Sequence, residues 1–261
     1  MTAQQSTPTA GMSRRGFLLA TGAVGLGAVG IGATAAQTDG ANGTRTFRVR
    51  IENVSDGSAL QTTDGGKPVP LSPGVYAVHT RDEPIFSSGA HERDNGLEEI
   101  AEDGSPGRLA DAIAQRDSVV SSGAFTTPVG GDGPAPLFPG EAYEFEVTGT
   151  RGRPTQYLSL VTMFVQSNDL FYALGGPTGM ALFDGNAPLA GNVTEHVSLW
   201  DAGTEINEEP GVGGDQAPRQ RAAGIGLVER GTVAHIDAVN GYDYPAPDTV
   251  IRVQITPSGG T

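Results

Sequence analysis

The stretch Tyr157–Gln166, YLSLVTMFVQ, is the most apolar β-type run in this 261-residue chain. It contains no charged residue, and its aliphatic, β-branched and aromatic side chains are those enriched in strands. A short apolar run of this kind is typical of a strand in the middle of a sheet. The sequence therefore predicts a central strand here.

Outward from this run, other segments have the pattern of half-buried strands. Thr46–Asn53, TFRVRIEN, alternates strictly, with its apolar side chains on one face and its charged side chains on the other. Turn-forming stretches rich in Gly, Pro and Asp separate the candidate strands. Further strands are predicted at Pro73–His79, Glu141–Thr148, Val193–Trp200 and Thr249–Thr256.

Helix is scarce. Leu97–Glu102 favours one short helix, and Gly107–Arg116 favours a second, with Ser105 as its N-cap and Pro106 in its first turn. Many short strands and long connections predict an all-β fold, an antiparallel β-sandwich with one or two short helices in long connections. We expect one domain over residues 46–256 and a tail at 257–261.

The N-terminal segment has the features of an export signal. Ser13–Leu19, SRRGFLL, matches a twin-arginine motif, and an uncharged Gly/Ala-rich run follows it to Ala36. We expect a twin-arginine signal peptide at 1–36 and a polar linker at 37–45, with an uncleaved anchor as the alternative. If the signal is cleaved, no stable membrane span is expected. The predicted location is extracellular or at the cell surface.

Composition excludes several function classes. Thirty Asp and Glu residues oppose 16 Lys and Arg, the net charge is −14, and cysteine is absent. Nucleic-acid binding is not expected, because the chain lacks the basic residues that neutralise phosphates. Disulfide scaffolds, zinc–thiolate sites and thiol enzymes need cysteine. The acid excess predicts a halophilic, salt-adapted surface on which most carboxylates serve hydration.

Catalytic signatures are missing: the chain contains no GxSxG, P-loop or HExxH motif. No catalytic residue and no organic cofactor site are predicted. Two acidic segments nevertheless stand out at strand ends, Ser167–Asp169 after the central strand and Asp201–Glu205, DAGTE, after the only tryptophan. Such loops can supply part of a Ca²⁺ site, because Ca²⁺ takes about 6–8 oxygen ligands. Sequons at Asn42, Asn53 and Asn192 permit glycosylation.

Together these segments resemble the spondin N-terminal domain family. The similarity lies in the strand ending Ser167–Asp169, in the Asp-Ala-Gly-Thr-Glu loop 32 positions later, and in Gly96–Gly104, and it extends over about residues 46–256. The resemblance implies a C2-like β-sandwich with one structural calcium ion at one end. It implies that Asp169, Asp201 and Glu205 are the metal carboxylates. Asn168 stands where animal members commonly have proline, and their cysteines and thrombospondin repeats are missing.

The leading functional hypothesis is a secreted, non-enzymatic calcium-binding module for cell-surface or matrix adhesion. Its partner would be an extracellular protein or glycan. The competing hypothesis is a secreted hydrolase that acts on polysaccharide through loop acids such as Glu205, Glu208 or Asp243. For that hypothesis, Asp237–Asp248 would form an aromatic-lined acidic cleft instead of a hydrated loop. A third possibility is a cell-envelope component without a specific ligand.

Overall fold

The computed structural model describes residues 43–80, 84–92, 94–239 and 241–258. The predicted signal peptide, most of the linker and the Asn42 sequon lie outside these residues. The strands are β1 Thr44–Asn53, β2 Leu60–Thr62, β3 Gly65–Lys67, β4 Leu71–His79, β5 Val119–Phe125, β6 Ala142–Thr150, β7 Tyr157–Phe164, β8 Leu170–Leu174, β9 Met180–Ala181, β10 Phe183–Asp184, β11 Ala187–Pro188, β12 Gly191–Asn192, β13 Val197–Asp201, β14 Ala234–His235 and β15 Ile251–Pro257. The helices are α1 Leu97–Asp103 and α2 Gly107–Ala114.

Two antiparallel sheets form the body of the fold. The smaller has the order β12-β15-β1-β6, and the larger has the order β14-β13-β8-β7-β4-β5, with β9 also paired to β7. The alternation predicted for β1 is confirmed, because Phe47, Val49 and Ile51 are fully buried in the core that the two sheets share. The all-β, sandwich-like prediction is therefore correct.

The larger sheet is covered on both faces. Its inner face joins the shared core, and its outer face packs against α1, α2 and the segment around Phe86 in a second core. The central strand β7 pairs with β4 on one side and β8 on the other, as predicted. Coverage on both faces explains why its sequence is continuously apolar instead of alternating.

Several element predictions need correction. Strands β5 and β8 were not predicted, since VVSSGAF is half exposed and LFYAL follows a polar turn too closely to read as a strand of its own. Thr194–His196 forms a 3₁₀ turn, so the strand predicted from Val193 begins at Val197. Ser105 does not cap α2, whose first turn has no side-chain cap. None of the helices in the described residues is long and apolar enough to cross a membrane.

The described sequons differ in their accessibility. Asn53 is fully buried, and its side-chain amide donates to the carbonyls of Val69 and Leu137 at 2.8 and 3.0 Å. Asn192 lies exposed on the short edge strand β12. Asn53 is therefore a structural residue in the folded chain, whereas Asn192 is exposed and Thr194 of the same sequon is buried.

Candidate metal centre

The two segments singled out at strand ends meet at one edge of the larger sheet. Asp169 ends the β7–β8 turn, and Asp201 is the last residue of β13, which pairs with β8 so that Asp201 lies opposite Leu170. The backbone N–H of Ala202 donates to the Asp169 carbonyl at 3.1 Å. Strand pairing thus places the two residues at the same edge of the larger sheet, one position apart in the register.

Asp169 is fully buried, and its two carboxylate oxygens have different surroundings. Oδ2 accepts hydrogen bonds from the backbone N–H groups of Thr204 and Glu205, at 2.7 and 3.0 Å, and from the Thr204 hydroxyl at 3.2 Å. Oδ1 has no hydrogen-bond partner among the described residues. A buried oxygen left without a partner is costly, so this atom marks a place where a ligand would be favourable.

Asp201 is also buried and turns its carboxylate toward the following loop. Its oxygens accept from the Gly203 backbone N–H and from the Asn207 side-chain amide. Burial raises the pKa of Asp201. Burial, followed by the charge of Asp201, raises the pKa of Asp169 to about 8. Both carboxyl groups therefore resist ionisation while no cation is near them.

Glu205 is buried, and its backbone, not its carboxylate, contacts Asp169. The carboxylate accepts from the Gly226 backbone N–H at 2.8 Å and from the Asn168 amide at 3.4 Å. A Cβ at Gly226 would lie 1.9 Å from Glu205 Oε1, so a side chain at this position would displace the Glu205 carboxylate. Burial raises the pKa of Glu205 as well.

A fourth acid, Glu102 on α1, joins this group and was not predicted. Its side chain is buried, and burial first, then the charges of Glu205, Glu98 and Asp169, raise its pKa to about 8. A hydrogen bond with Thr204 acts in the opposite direction. The apolar face of α1 is formed by other positions, so helical periodicity alone predicts that Glu102 is exposed.

We call Glu102, Asp169, Asp201 and Glu205 the acid cluster. Within the part of the chain that the structure describes, none of the four forms an ion pair with Lys, Arg or His. Buried carboxylates are normally paired, bound to a metal or protonated. The donor chemistry of the cluster therefore suits a hard cation, which prefers carboxylate and amide oxygens.

The side chains of the acid cluster do not form a complete metal coordination site in this structure. Among the described residues, no group of three or more His, Cys, Asp or Glu side chains is arranged to hold an ion. Asp169 and Asp201 are brought together, while the Glu205 carboxylate is directed to Gly226 and Asn168. The four acids fit an ion by chemistry and burial, and the unpartnered Asp169 Oδ1 is the atom best placed to receive one.

A neighbouring loop is tied to the same edge through Asn168. The Asn168 side-chain oxygen accepts from the Glu208 backbone N–H at 3.0 Å, and its amide donates to a Glu208 carboxylate oxygen at 3.2 Å. The same Glu208 oxygen accepts from the Asp215 N–H at 2.9 Å. Glu208 therefore organises the loop that follows it.

The acids named for the hydrolase hypothesis lie in different places. Asp243 lines a cleft of about 450 Å³ beside β13, together with Asp237 and Tyr242. Neither Glu205 nor Glu208 lines that cleft. The part of this segment that the structure describes lines one side of the cleft, and the choice between a hydrated loop and an acidic cleft with a catalytic role stays a prediction.

His79 is a buried polar residue of the larger sheet. It is fully buried on β4, its Nε2 lies 2.9 Å from the Ser159 hydroxyl, and its ring stacks on Tyr157 with a centroid separation of 5.7 Å. It lies within the larger sheet, and it is not a member of the acid cluster.

Comparison with known proteins adds no relative. No protein-family model matches the chain, and no curated protein matches it significantly. The resemblance to the spondin N-terminal domain family stays a prediction.

Proposed function

We propose that the chain is a secreted, non-enzymatic β-sandwich module whose end loops are held in place by one structural calcium ion. Its task would be adhesion at the cell surface or matrix through an extracellular protein or glycan. The observation that carries this proposal is the acid cluster, in which four buried carboxylates lack a described basic partner and Asp169 Oδ1 lacks any described partner.

The choice of calcium follows from the ligands available. Carboxylate, amide and backbone oxygens surround the cluster, and the chain has no cysteine that would favour a softer metal. Asp169 and Asp201 would hold the ion. Glu205 and Glu102 would contribute their negative charges to the site. When bound, the ion supplies positive charge that offsets the repulsion among buried acids.

The role of the ion would be structural because of where these acids lie. Asp169 belongs to the β7–β8 turn, Asp201 to the end of β13, Glu205 to the loop after it and Glu102 to α1. An ion at this point would connect the larger sheet, its outer helix layer and the exposed loops at one end. Loops fixed in this way form a preorganised surface for a partner.

Thermal unfolding with calcium and with chelator tests this proposal. A ligand present at 100 times its Kd and bound only by the folded state stabilises it by about 2.7 kcal/mol. For a chain of this size we expect 1 mM CaCl₂ to raise Tm by roughly 5–10 °C over excess EDTA. The increase should disappear in Asp201→Asn.

Asp132→Asn is the matched control, because Asp132 is an exposed acid in a turn distant in sequence from the cluster. It should keep the full calcium response. An equal response in Asp201→Asn and Asp132→Asn would assign the effect to diffuse binding by the acidic surface and contradict the proposal. No calcium response in wild type would contradict it as well.

A further inference from the structure

A concave site lies beside β13, and no acid of the acid cluster lines it. It is a cleft of about 450 Å³ between Val197–Leu199 and residues of 235–239 and 242–247. Its volume lies within the roughly 300–1,000 Å³ typical of small-molecule sites. Strand β14 pairs only with Trp200 and Asp201, so the preceding part of β13 has no strand partner on this side in the described chain.

Aromatic surface is available at this cleft. Tyr242 is 39 % exposed. Tyr244 is held in place by packing. Its ring contacts Phe164 edge-on at a centroid distance of 6.1 Å, and its hydroxyl is buried. Tyr242 is therefore the side chain free to stack on a ligand, and Tyr244 forms part of the wall.

The polar groups at the cleft are mainly acceptors. Asp237 and Asp243 line it, and the Asp237 side chain is 87 % exposed. No Lys or Arg is among the lining residues. A cleft with carboxylates and no cation disfavours phosphate, sulfate and uronate ligands, because like charges repel.

His235 lies beside Asp237 at the cleft. Its Nδ1 lies 3.4 Å from an Asp237 carboxylate oxygen and accepts the Asp237 backbone N–H at 3.3 Å. The cleft thus combines an aromatic surface with carboxylates that can accept hydroxyl groups. This combination suits a sugar, whose ring presents C–H groups on its face and O–H groups at its edge.

The backbone around the cleft is preorganised. Short 3₁₀ turns at Ile236–Ala238 and Pro247–Thr249 flank the tyrosines, and Pro245 lies between them. Proline fixes its own φ, so less conformational entropy is lost when a ligand orders this segment.

We propose that this cleft binds one or two pyranose units of a neutral oligosaccharide, with Tyr242 stacking on a ring and Asp237 and Asp243 accepting its hydroxyls. The assignment rests on the proposed role as a binding module, but not on the calcium ion. It identifies the glycan partner as uncharged and places its site along the Val197–Leu199 part of β13, which precedes the end that carries Asp201.

Trp200 provides an intrinsic probe of this site. It is the only tryptophan, and its ring meets the cleft residue His235 edge-on at a centroid distance of 5.3 Å. The experiment titrates the folded protein with neutral hexasaccharides of glucose, mannose, galactose and N-acetylglucosamine, in α and β linkages, up to 10 mM, and records Trp200 fluorescence. A hexauronate and a hexalysine peptide are titrated in parallel.

We expect saturable binding of at least one neutral hexasaccharide and none of the hexauronate. Tyr242→Ala should weaken this binding at least tenfold, Tyr242→Phe should retain it within threefold, and Asp243→Asn should weaken it about fivefold. Val129→Ala, which changes an exposed residue that does not line the cleft, should leave it unchanged.

Other outcomes would overturn the assignment. These are no saturable binding of any neutral sugar, binding that Tyr242→Ala leaves intact, or tighter binding of hexalysine than of every sugar. Release of reducing ends would identify a hydrolase instead of a binding cleft. Repeating the titration in Asp201→Asn separates the two proposals, because the cleft should still bind sugar when the calcium response is lost.

Discussion

Acids on the outer face of the smaller sheet and acids in the cluster share a chemistry but differ in their surroundings. On that sheet, Glu144 lies 3.6 Å from Arg50 and Glu52 lies 3.5 Å from Arg252, and all four side chains are 30–50 % exposed. In the cluster, the carboxylates are buried and have no described basic partner. Exposed pairs contribute about 0–1 kcal/mol. Buried unpaired acids can cost several times as much, so the cluster is where the acidic composition has structural consequences.

The largest expected effect is a difference in the free energy of unfolding when one acid is removed from each region. Asp169→Ala leaves the buried N–H groups of Thr204 and Glu205 without their acceptor, so we expect a loss of about 2–4 kcal/mol in calcium-free urea unfolding. Glu144→Ala should cost less than about 1 kcal/mol. Asp169→Asn keeps an acceptor oxygen and should lie between them. Equal losses for Asp169→Ala and Glu144→Ala would remove the distinction between the regions.

The second prediction concerns the pH dependence of stability, which should also distinguish the acid cluster from the surface acids. The pKa values of Asp169 and Glu102 are raised to about 8 in the fold, so the native state retains protons that the unfolded chain releases near pH 4. Without calcium, the free energy of unfolding should therefore fall between pH 5 and pH 8, by up to about 1.4 kcal/mol per pH unit for each acid that stays protonated in the fold. Urea unfolding in EDTA at the two pH values measures this.

Glu102→Gln should reduce that fall, because the group that must ionise is gone. With calcium present, the rise in Tm should be larger at pH 8 than at pH 5, since carboxylates must be deprotonated to bind the ion. If the calcium-free protein instead becomes more stable between pH 5 and pH 8, the prediction is contradicted. These acids would then already be ionised in the native state, with their charges compensated by other groups.

A smaller effect is expected from the backbone that supports the cluster. In Gly226→Ala, the new methyl group would meet Glu205 Oε1 at 1.9 Å and displace the carboxylate, so we expect a loss of about 1–3 kcal/mol. Gly214→Ala is the control, since nothing lies within 4 Å of its Cβ position and its φ is not in the left-handed region. Chemical unfolding of the two variants compares them, and a loss in Gly214→Ala as large as in Gly226→Ala would contradict the steric explanation.

Sequence patterns predicted the strands that have a regular environment. β1 alternates because only one of its faces is buried, and β7 is uncharged and mostly apolar because both faces are covered. β5 was missed because its sequence is half exposed, and β8 because it follows β7 after a short polar turn. In the sheet, β8 is held between β7 and β13.

The candidate site was predictable in part. The sequence placed Asp169 and Asp201 at strand ends, and the pairing of β8 with β13 puts both residues at the same edge of the larger sheet. Glu102 was missed because α1 brings it to the cluster from a helix that is remote in sequence and from a position off the apolar stripe. The orientation of the Glu205 carboxylate depends on Gly226, 21 residues further along, so no local motif could supply it.

Calcium stoichiometry, measured by equilibrium dialysis in high salt, would decide whether the acid cluster is an ion site. High salt screens diffuse attraction to the exposed acids but has much less effect on a buried site. We expect one ion per chain, saturating below 1 mM, in wild type and in Asp132→Asn, and none in the double variant Asp169→Asn/Asp201→Asn. An absence of bound calcium in wild type, or unchanged binding in a double variant that remains folded, would contradict a calcium site in the cluster.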